Sequence, residues 1–427
     1  MNTVALFTIF AVTLAIGIPI AFTLYFASFA MLLSMKIPTL IMVQRVIGGI
    51  EKEPLLCIPF FVLAGSIMSA GGITDRLIHF SNLLVGRFRG ALGLVTVVAS
   101  MFFAGLSGSA VADATSIGSV LVPAMKKEGY DPGFSAAITA SAACTGPLIP
   151  PSIPMVVLGI ICSLSIGKLF LAAAIPGVML GLALMTGAYI AAVRHGYPKH
   201  APAPLREVLR GLKTNFLAIA MPLFLVLGIA LGVVTDSELG VLAALYALIV
   251  GVFFYREINT WKKLSDCLKE TVLSTGIVLF IMGAASLLTW LLAVSGVPQL
   301  LTKAIFAMTT NKAVILILVN IVLLIAGMFI DPIAALLLLA PILIPMGKTI
   351  GMDPLHTGTM VVFNLMLGNL TPPVGITLII TTRFAGISLL AAARAVIPYF
   401  LLGIVVLGLI TAFPWFSLFL PNLVFGH

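Results

Sequence analysis

The chain has 427 residues, of which 61% are apolar and only 9% charged, and its mean hydropathy is +1.23. A soluble protein carries about a quarter charged residues, so a water-soluble globule is excluded and the useful count is of membrane spans. The net charge of +9 comes from basic residues clustered between apolar runs, which is how loops at a membrane surface look rather than a nucleic-acid-binding face.

In chain order, the first apolar run, about 4–33, follows Met1 without a basic leader and exceeds a signal-peptide core, so it reads as a span and not as a removable signal. A spanning helix needs about 20 apolar residues. Further spans are predicted at 54–70, 133–162, 169–193, 214–234, 238–255, 272–294, 354–382 and 389–420. The amphipathic stretches 36–52 and 297–312 read as helices lying along the surface. Cys57, Cys144, Cys162 and Cys267 have no CxxC spacing and read as packing residues, and the five histidines form no ligand cluster.

Two apolar segments, 91–125 and 313–347, are too long for one span and are broken in the middle, at Gly105-Leu106-Ser107-Gly108-Ser109-Ala110 and at Gly327-Met328-Phe329-Ile330-Asp331-Pro332. Small residues permit a reversal, and Pro suits the first turn of a returning helix. Both are predicted to be re-entrant helical hairpins, which tolerate irregular backbone at depth only when buried in protein or lining a polar cavity. Sixteen of the 23 Lys and Arg residues then share one face, which the positive-inside rule assigns to the cytoplasm. This leaves the N-terminus inside, the C-terminus outside, and the hairpins entering from opposite faces.

Shifting the chain by 222 residues aligns 121–151 with 343–373, and ten of the pairs are identical, among them Lys126/Lys348, Asp131/Asp353, Gly146/Gly368 and Pro150/Pro372. The matches fall on turn formers rather than common aliphatics. On the predicted topology the repeat is inverted, an arrangement that places substrate and ion sites at corresponding helix breaks near the midplane. The polar linker 194–213 and the span 214–234 join the halves.

Each half carries a second break, Gly146-Pro147-Leu148-Ile149-Pro150-Pro151-Ser152 and Gly368-Asn369-Leu370-Thr371-Pro372-Pro373-Val374-Gly375. Prolines remove amide donors and free carbonyls, and such oxygens suit a hard cation such as Na⁺. The hairpin tips supply Ser107 and Ser109 in one half and Gly327 in the other. The N-termini of the returning helices, near Ala110 and Pro332, favour a carboxylate. Each feature has a plainer reading: a structural kink for Pro-Pro, back-bonding to the helix for Ser107 and Ser109, and N-capping for Asp113 and Asp331, which otherwise count as functional charges at membrane depth. Asp131 and Asp353 read as caps, and Arg383 as an interfacial anchor.

These residues are familiar together. Ser107–Asp113, Gly146–Pro154, Thr371–Gly375, Ile58–Gly65 and Phe413-Pro414 resemble the large membrane subunit, the M component, of tripartite ATP-independent periplasmic (TRAP) transporters, over essentially the whole chain. The resemblance implies an all-α polytopic membrane protein with inverted repeats, an elevator-type Na⁺-driven secondary carrier of the ion transporter superfamily in the bacterial inner membrane. Its partners would be a small four-helix membrane subunit (the Q component) and a periplasmic substrate-binding protein. Its cargo would be an organic acid, such as a C4-dicarboxylate, sialic acid or another sugar acid. Carried over by motif, one Na⁺ site would use Ser107, Ser109, Gly146, Ile149 and Pro151, and the other Gly327, Gly368, Thr371 and Val374. Ser152 and Asp331 would line the substrate cavity, with Ser107, Thr371 and Thr377 beside it; Thr377 places a hydroxyl where many members carry an amide. The transport domain would comprise 91–162 and 313–384, and the scaffold 1–90, 163–312 and 385–427.

No GxxxxGK[ST], HExxH or paired-aspartate protease motif is present, so ATP hydrolysis and intramembrane enzymology are not expected. A passive channel fits mirrored broken helices poorly. The alternative that stays open is a proton-coupled carboxylate carrier working without a binding protein, with Asp331 or Asp113 titrating.

Overall fold

The computed structural model describes residues 8–426 apart from 11, 14–15, 200–203, 231–233, 298–299, 301–302, 304–308, 310 and 373. The described residues form helices and connecting turns, with no strand. In chain order the helices are α1 (Ile20–Ser34), α2 (Leu40–Ile50), α3 (Cys57–Ala70), α4 (Ile73–Val85), α5 (Ala91–Ser107), α6 (Ala110–Lys127), α7 (Pro132–Ala143), α8 (Ile153–Cys162), α9 (Ile166–His195) and α10 (Leu205–Thr214). They continue as α11 (Phe216–Ala230), α12 (Asp236–Ile249), α13 (Trp261–Val294), α14 (Lys312–Phe329), α15 (Pro332–Thr349), α16 (Pro354–Gly368), α17 (Ile376–Ala385), α18 (Leu389–Ala412) and α19 (Trp415–Phe425).

Local chemistry sets many of these boundaries. Ser109, Asp131, Ser152, Ser165, Asp331, Asp353 and Ser388 each accept a hydrogen bond from an amide of the helix that follows, satisfying an orphan donor. Asp131 and Asp353, equivalent in the sequence repeat, cap α7 and α16 in the same way, each with Pro in the first turn.

α7 and α16 carry no charged side chain, and α7 from Phe134 and α16 from His356 are buried at every residue, as expected for helices enclosed by others. α6 and α17 pack on α7, while α14 and α15 pack on α16, and α15 also meets α8. α1, α2 and α3 pack on α13, and α3 on α12; α9 packs against α5, α18 and α19. Outward faces stay apolar, as at Ile317, Ile321 and Ile325 of α14, the pattern for a chain whose solvent is lipid. Six helices among the described residues are long and apolar enough to cross a membrane.

Several expectations change. The run 4–33 is not one helix: the described residues turn at Ile16–Gly17, with Gly17 at φ +87°, and α1 starts only after Pro19. The span 389–420 is two helices, because α18 ends at Ala412 and Phe413-Pro414 turns the chain into α19. Pro cannot donate to the turn before it, so the break was written in the residues. α13 extends the predicted span 272–294 back to Trp261, carrying Lys262, Lys263 and Lys269 on its exposed end. The linker 194–213 holds the amphipathic helix α10, and α4 forms where no element was expected. The stretch 36–52 does form α2, which leans on α13 with Arg45 over the ring of Trp290 at 4.8 Å. The stretch 297–312 falls mostly outside the described residues.

Lys126 at the end of α6 donates to the C-terminal carbonyl of α17, Ala385 O, at 2.7 Å, placing a cation at a helix C-terminus. Lys126→Met is expected to cost about 1–2 kcal/mol and lower the thermal midpoint by a few degrees, with Lys127→Met as a neutral control. Equal midpoints for the two variants would show that the contact contributes nothing.

Candidate functional site

The site is made of two helix reversals facing two helix breaks. At the first reversal α5 stops at Ser107, Gly108 turns the chain with φ +58°, and extended Ser109 caps α6. Only glycine fits at 108, because a Cβ there would lie 2.6 Å from Pro151 O. The tip is therefore pressed onto the first break, and Ile153 N donates to Gly108 O at 3.4 Å.

The first break begins where α7 ends in tight turns: Cys144, Thr145 and Gly146 amides bond to Ser141, Ala142 and Ala143 carbonyls. Leu148 and Ile149 amides both go to Thr145 O. Pro147, Pro150 and Pro151 have no amide to give. Ser152 closes the break, donating to Pro147 O at 2.5 Å and accepting from Met155 N at 3.2 Å. Among the described residues no donor reaches the carbonyls of Gly146, Ile149 or Pro151.

Asp113, in the first turn of α6, lies fully buried behind this tip. Ser107 Oγ donates to its Oδ1 and accepts from Ser109 N at 3.2 Å. Among the described residues its Oδ2 has no hydrogen-bond partner. That oxygen faces Gly146, where an added Cβ would stand 2.5 Å from it. Ser109, not Asp113, is the N-cap, so the capping account of Asp113 does not hold. Ser107, Asp113, Gly146 and Pro151 thus converge, whereas the Ile149 side chain packs away, against Gly177 of α9.

The second reversal follows the same logic with different residues. α14 ends at Phe329, Ile330 is extended, and Asp331 caps α15 by accepting from Ile333 N at 3.0 Å and Ala334 N at 3.3 Å. The second break is stitched to it by Val374 N, which donates to Met328 O at 3.2 Å. Gly327 and Gly368 meet backbone to backbone: a Cβ on Gly368 would lie 2.7 Å from Gly327 Cα. Thr371 donates its hydroxyl to Gly368 O at 2.8 Å. Asn369 Oδ1 accepts from Ile376 N at 3.1 Å, its carbonyl takes the Thr377 hydroxyl at 3.1 Å, and Gly375 adopts φ +37°. Pro373 lies outside the described residues. The two breaks touch where Cys144 Sγ donates to Met366 O at 3.3 Å, positions equivalent in the sequence repeat.

Between the two tips is a cavity of about 80 Å³, lined among others by Ser109, Val111, Asp331, Ile333, Met366 and Asn369. It receives the N-termini of both α6 and α15, and among the described residues no Lys or Arg lines it. Of the predicted substrate residues, Asp331 reaches it; Ser107, Ser152, Thr371 and Thr377 stand behind it in the hydrogen bonds above. Asn369 was not singled out from the sequence. Its signal was its place just after Gly368, where an amide side chain can satisfy both ends of a break. A cavity this small holds waters or an ion, whereas organic ligands occupy roughly 300–1,000 Å³, so admitting one requires the tips to separate.

A family model described as "Tripartite ATP-independent periplasmic transporter, DctM component" matches residues 7–416. The chain is 38% identical over 412 residues to the sialic acid TRAP transporter large permease protein SiaM of Vibrio cholerae, covering 96% of each. It is 39% identical over 375 residues to the C4-dicarboxylate TRAP transporter large permease protein DctM of Pseudomonas aeruginosa, covering 87% of each. With the 2,3-diketo-L-gulonate large permease YiaN of Escherichia coli it shares 35% identity over 412 residues, 96% of this chain and 95% of that one. Among solved structures, the YdaH transporter of Alcanivorax borkumensis aligns with a TM-score of 0.63 at 18% identity, covering 89% of this chain and 88% of that one, a likeness of fold alone. The chain belongs to the DctM component family of tripartite ATP-independent periplasmic transporters, and it is a large transport permease rather than an enzyme.

Proposed function

We propose that this permease imports an organic carboxylate, driven by Na⁺ bound at the two tip–break junctions, by elevator movement of one helical unit against another. The observation that carries the reading is the buried Asp113 Oδ2, without a hydrogen-bond partner among the described residues, set against Gly146 of the first break behind a Ser107–Ser109 turn that Gly108 presses onto Pro151 O. Hard oxygens of this kind, partly carbonyl and partly carboxylate, match what an alkali cation takes. At the second junction Gly327, Gly368, Thr371 and Val374 would provide the oxygens, with Gly368 O giving up the Thr371 hydrogen bonds when a cation binds.

Electrostatics supports coupling. Asp331 lines the cavity and, among the described residues, no basic residue does, so an anionic substrate arriving alone meets a like charge in a low-dielectric space. Na⁺ at the adjoining junctions, with the N-terminal dipoles of α6 and α15, reverses that field. Each charge moved across the membrane is worth about 2.3 kcal/mol per 100 mV, which makes Na⁺ entry an adequate drive. Relatives named for sialic acid, C4-dicarboxylates and 2,3-diketo-L-gulonate all handle acids, and an organic acid is the substrate class assigned here. A periplasmic binding protein and a small membrane subunit would complete the tripartite system, in the bacterial inner membrane with the N-terminus cytoplasmic. The moving unit would comprise 91–162 and 313–384, and the scaffold the remaining helices.

Uptake into proteoliposomes under separately imposed Na⁺, proton and voltage gradients is the direct test. Uptake is expected only with inward Na⁺; uptake driven by protons alone would replace this reading with the proton-coupled carrier. Thr371→Ala is expected to raise the Na⁺ concentration for half-maximal uptake several-fold while assembly persists. An unchanged Na⁺ dependence would remove Thr371 from the site.

A further inference from the structure

A groove of about 460 Å³, sharing no lining residue with the cavity between the tips, opens between α7, α9 and α18. It adjoins a recess of about 410 Å³ beside the start of α7. Arg194 at the end of α9 and Arg394 near the start of α18 line it from opposite sides, and both are exposed. Among the described residues neither arginine has a carboxylate at ion-pair distance. The one carboxylate lining the groove, Asp131, spends its Oδ1 on capping α7, accepting from Phe134 N at 2.7 Å. His195, also on the rim, is turned onto Ala191 O at 2.9 Å and stacks on Tyr197. The interior is apolar, formed by Ile190, Pro398 and Leu402 over the rings of Phe134 and Tyr399.

Two guanidinium groups against the single carboxylate of Asp131, which caps α7, leave the groove with an excess of positive charge. Their planar donors match a phosphodiester. An apolar trough leading away from them suits a hydrocarbon chain, and it opens onto the exposed apolar faces of α9 and α18 at Leu182, Ile190, Val193, Ile397 and Leu401. Both arginines belong to the basic-rich face of the chain, and anionic lipids concentrate where such faces meet the cytoplasmic leaflet. We infer that the groove binds one anionic phospholipid, its phosphate held between Arg194 and Arg394 and an acyl chain lying along Ile190, Pro398 and Leu402. The site stands independently of the ion and substrate assignments above.

Native mass spectrometry of the full chain released from nanodiscs of mixed phosphatidylcholine and phosphatidylglycerol tests the assignment. Retention of one phosphatidylglycerol is expected, preferred over phosphatidylcholine by roughly tenfold or more from the two cationic contacts. Arg194→Gln combined with Arg394→Gln should abolish the preference, and each single substitution should weaken it, so that poor yield of the double variant leaves the test intact. Arg87→Gln combined with Arg89→Gln, on the same basic face but outside the groove, should change nothing. An undiminished preference in the arginine variants overturns the site. Full displacement of the lipid by millimolar inorganic phosphate would mark a free-anion site instead, and a polypeptide retained in place of lipid would mark a protein-docking surface; either overturns the lipid assignment.

Discussion

Asp113→Asn is expected to remove Na⁺-dependent uptake, by about a hundredfold or more, while leaving the chain folded. The substitution keeps the shape and an oxygen able to accept from Ser107 Oγ, and it deletes only the charge. A buried carboxylate without a compensating charge costs several kcal/mol, yet Asp113 is fully enclosed and, among the described residues, its Oδ2 has no hydrogen-bond partner and no cation stands at ion-pair distance. A cation at Gly146 would supply the missing partner, so the wild-type protein should gain thermal stability as Na⁺ is raised, by the linkage between binding and unfolding. The Asn variant should lose that Na⁺-dependent rise, and in Na⁺-free buffer it should be at least as stable as the wild type, having shed an uncompensated charge. Melting curves of both proteins across a Na⁺ series, with K⁺ or choline holding ionic strength constant, make the comparison. An Asn variant that keeps the wild-type Na⁺ increment would exclude Asp113 from cation binding.

Gly368→Ala carries the second large effect, and for a steric reason. The new methyl would lie 2.7 Å from Gly327 Cα and 2.8 Å from Gly327 C, with Leu324 O at 3.0 Å. All three are backbone atoms, so no rotamer change relieves the clash and α14 must move off α16. Overpacking of this kind costs about 1–3 kcal/mol or more, and the displaced segment includes the carbonyls assigned to the second Na⁺ junction. A fall in thermal midpoint together with loss of Na⁺-driven uptake is expected. Gly408→Ala is the matched control, since an added Cβ there meets nothing within 4 Å, and Ala is the better helix former. If Gly368→Ala behaves like Gly408→Ala in both measurements, the close contact of Gly327 with Gly368 has no mechanical role.

Much of this architecture was legible in the residues because its punctuation is local. Gly108-Ser109 and Asp331-Pro332 reverse the chain by the conformational freedom of glycine and by capping, and Pro147, Pro150 and Pro151 stop α7 without help from distant contacts. An amphipathic pattern alone still marks a helix, as at α2, but charged residues within a short apolar run hide one. α4 carries Asp75 and His79 on its outer side and Arg76 over the ring of Tyr255, charges that mask its helical pattern, although Ile73, Leu77 and Phe80 bury its inner side. The turn at Phe413-Pro414 was hidden because hydropathy continues unchanged through it, so only the proline marked where α18 gives way to α19.

The sequence by itself determined the solvent of this protein, the repeat, and the positions where its helices must break, because hydropathy and missing amide donors are properties of the chain alone. What only the tertiary structure decided is which broken ends meet. Asp113 comes to rest against Gly146 and Gly327 against Gly368, contacts between segments far apart in the chain that no spacing rule specifies. Close packing selects them, since each approach requires a residue without a side chain on one or both sides. The same folding step buries a carboxylate oxygen, Asp113 Oδ2, that finds no hydrogen bond among the described residues, a feature that exists in no single stretch of the sequence.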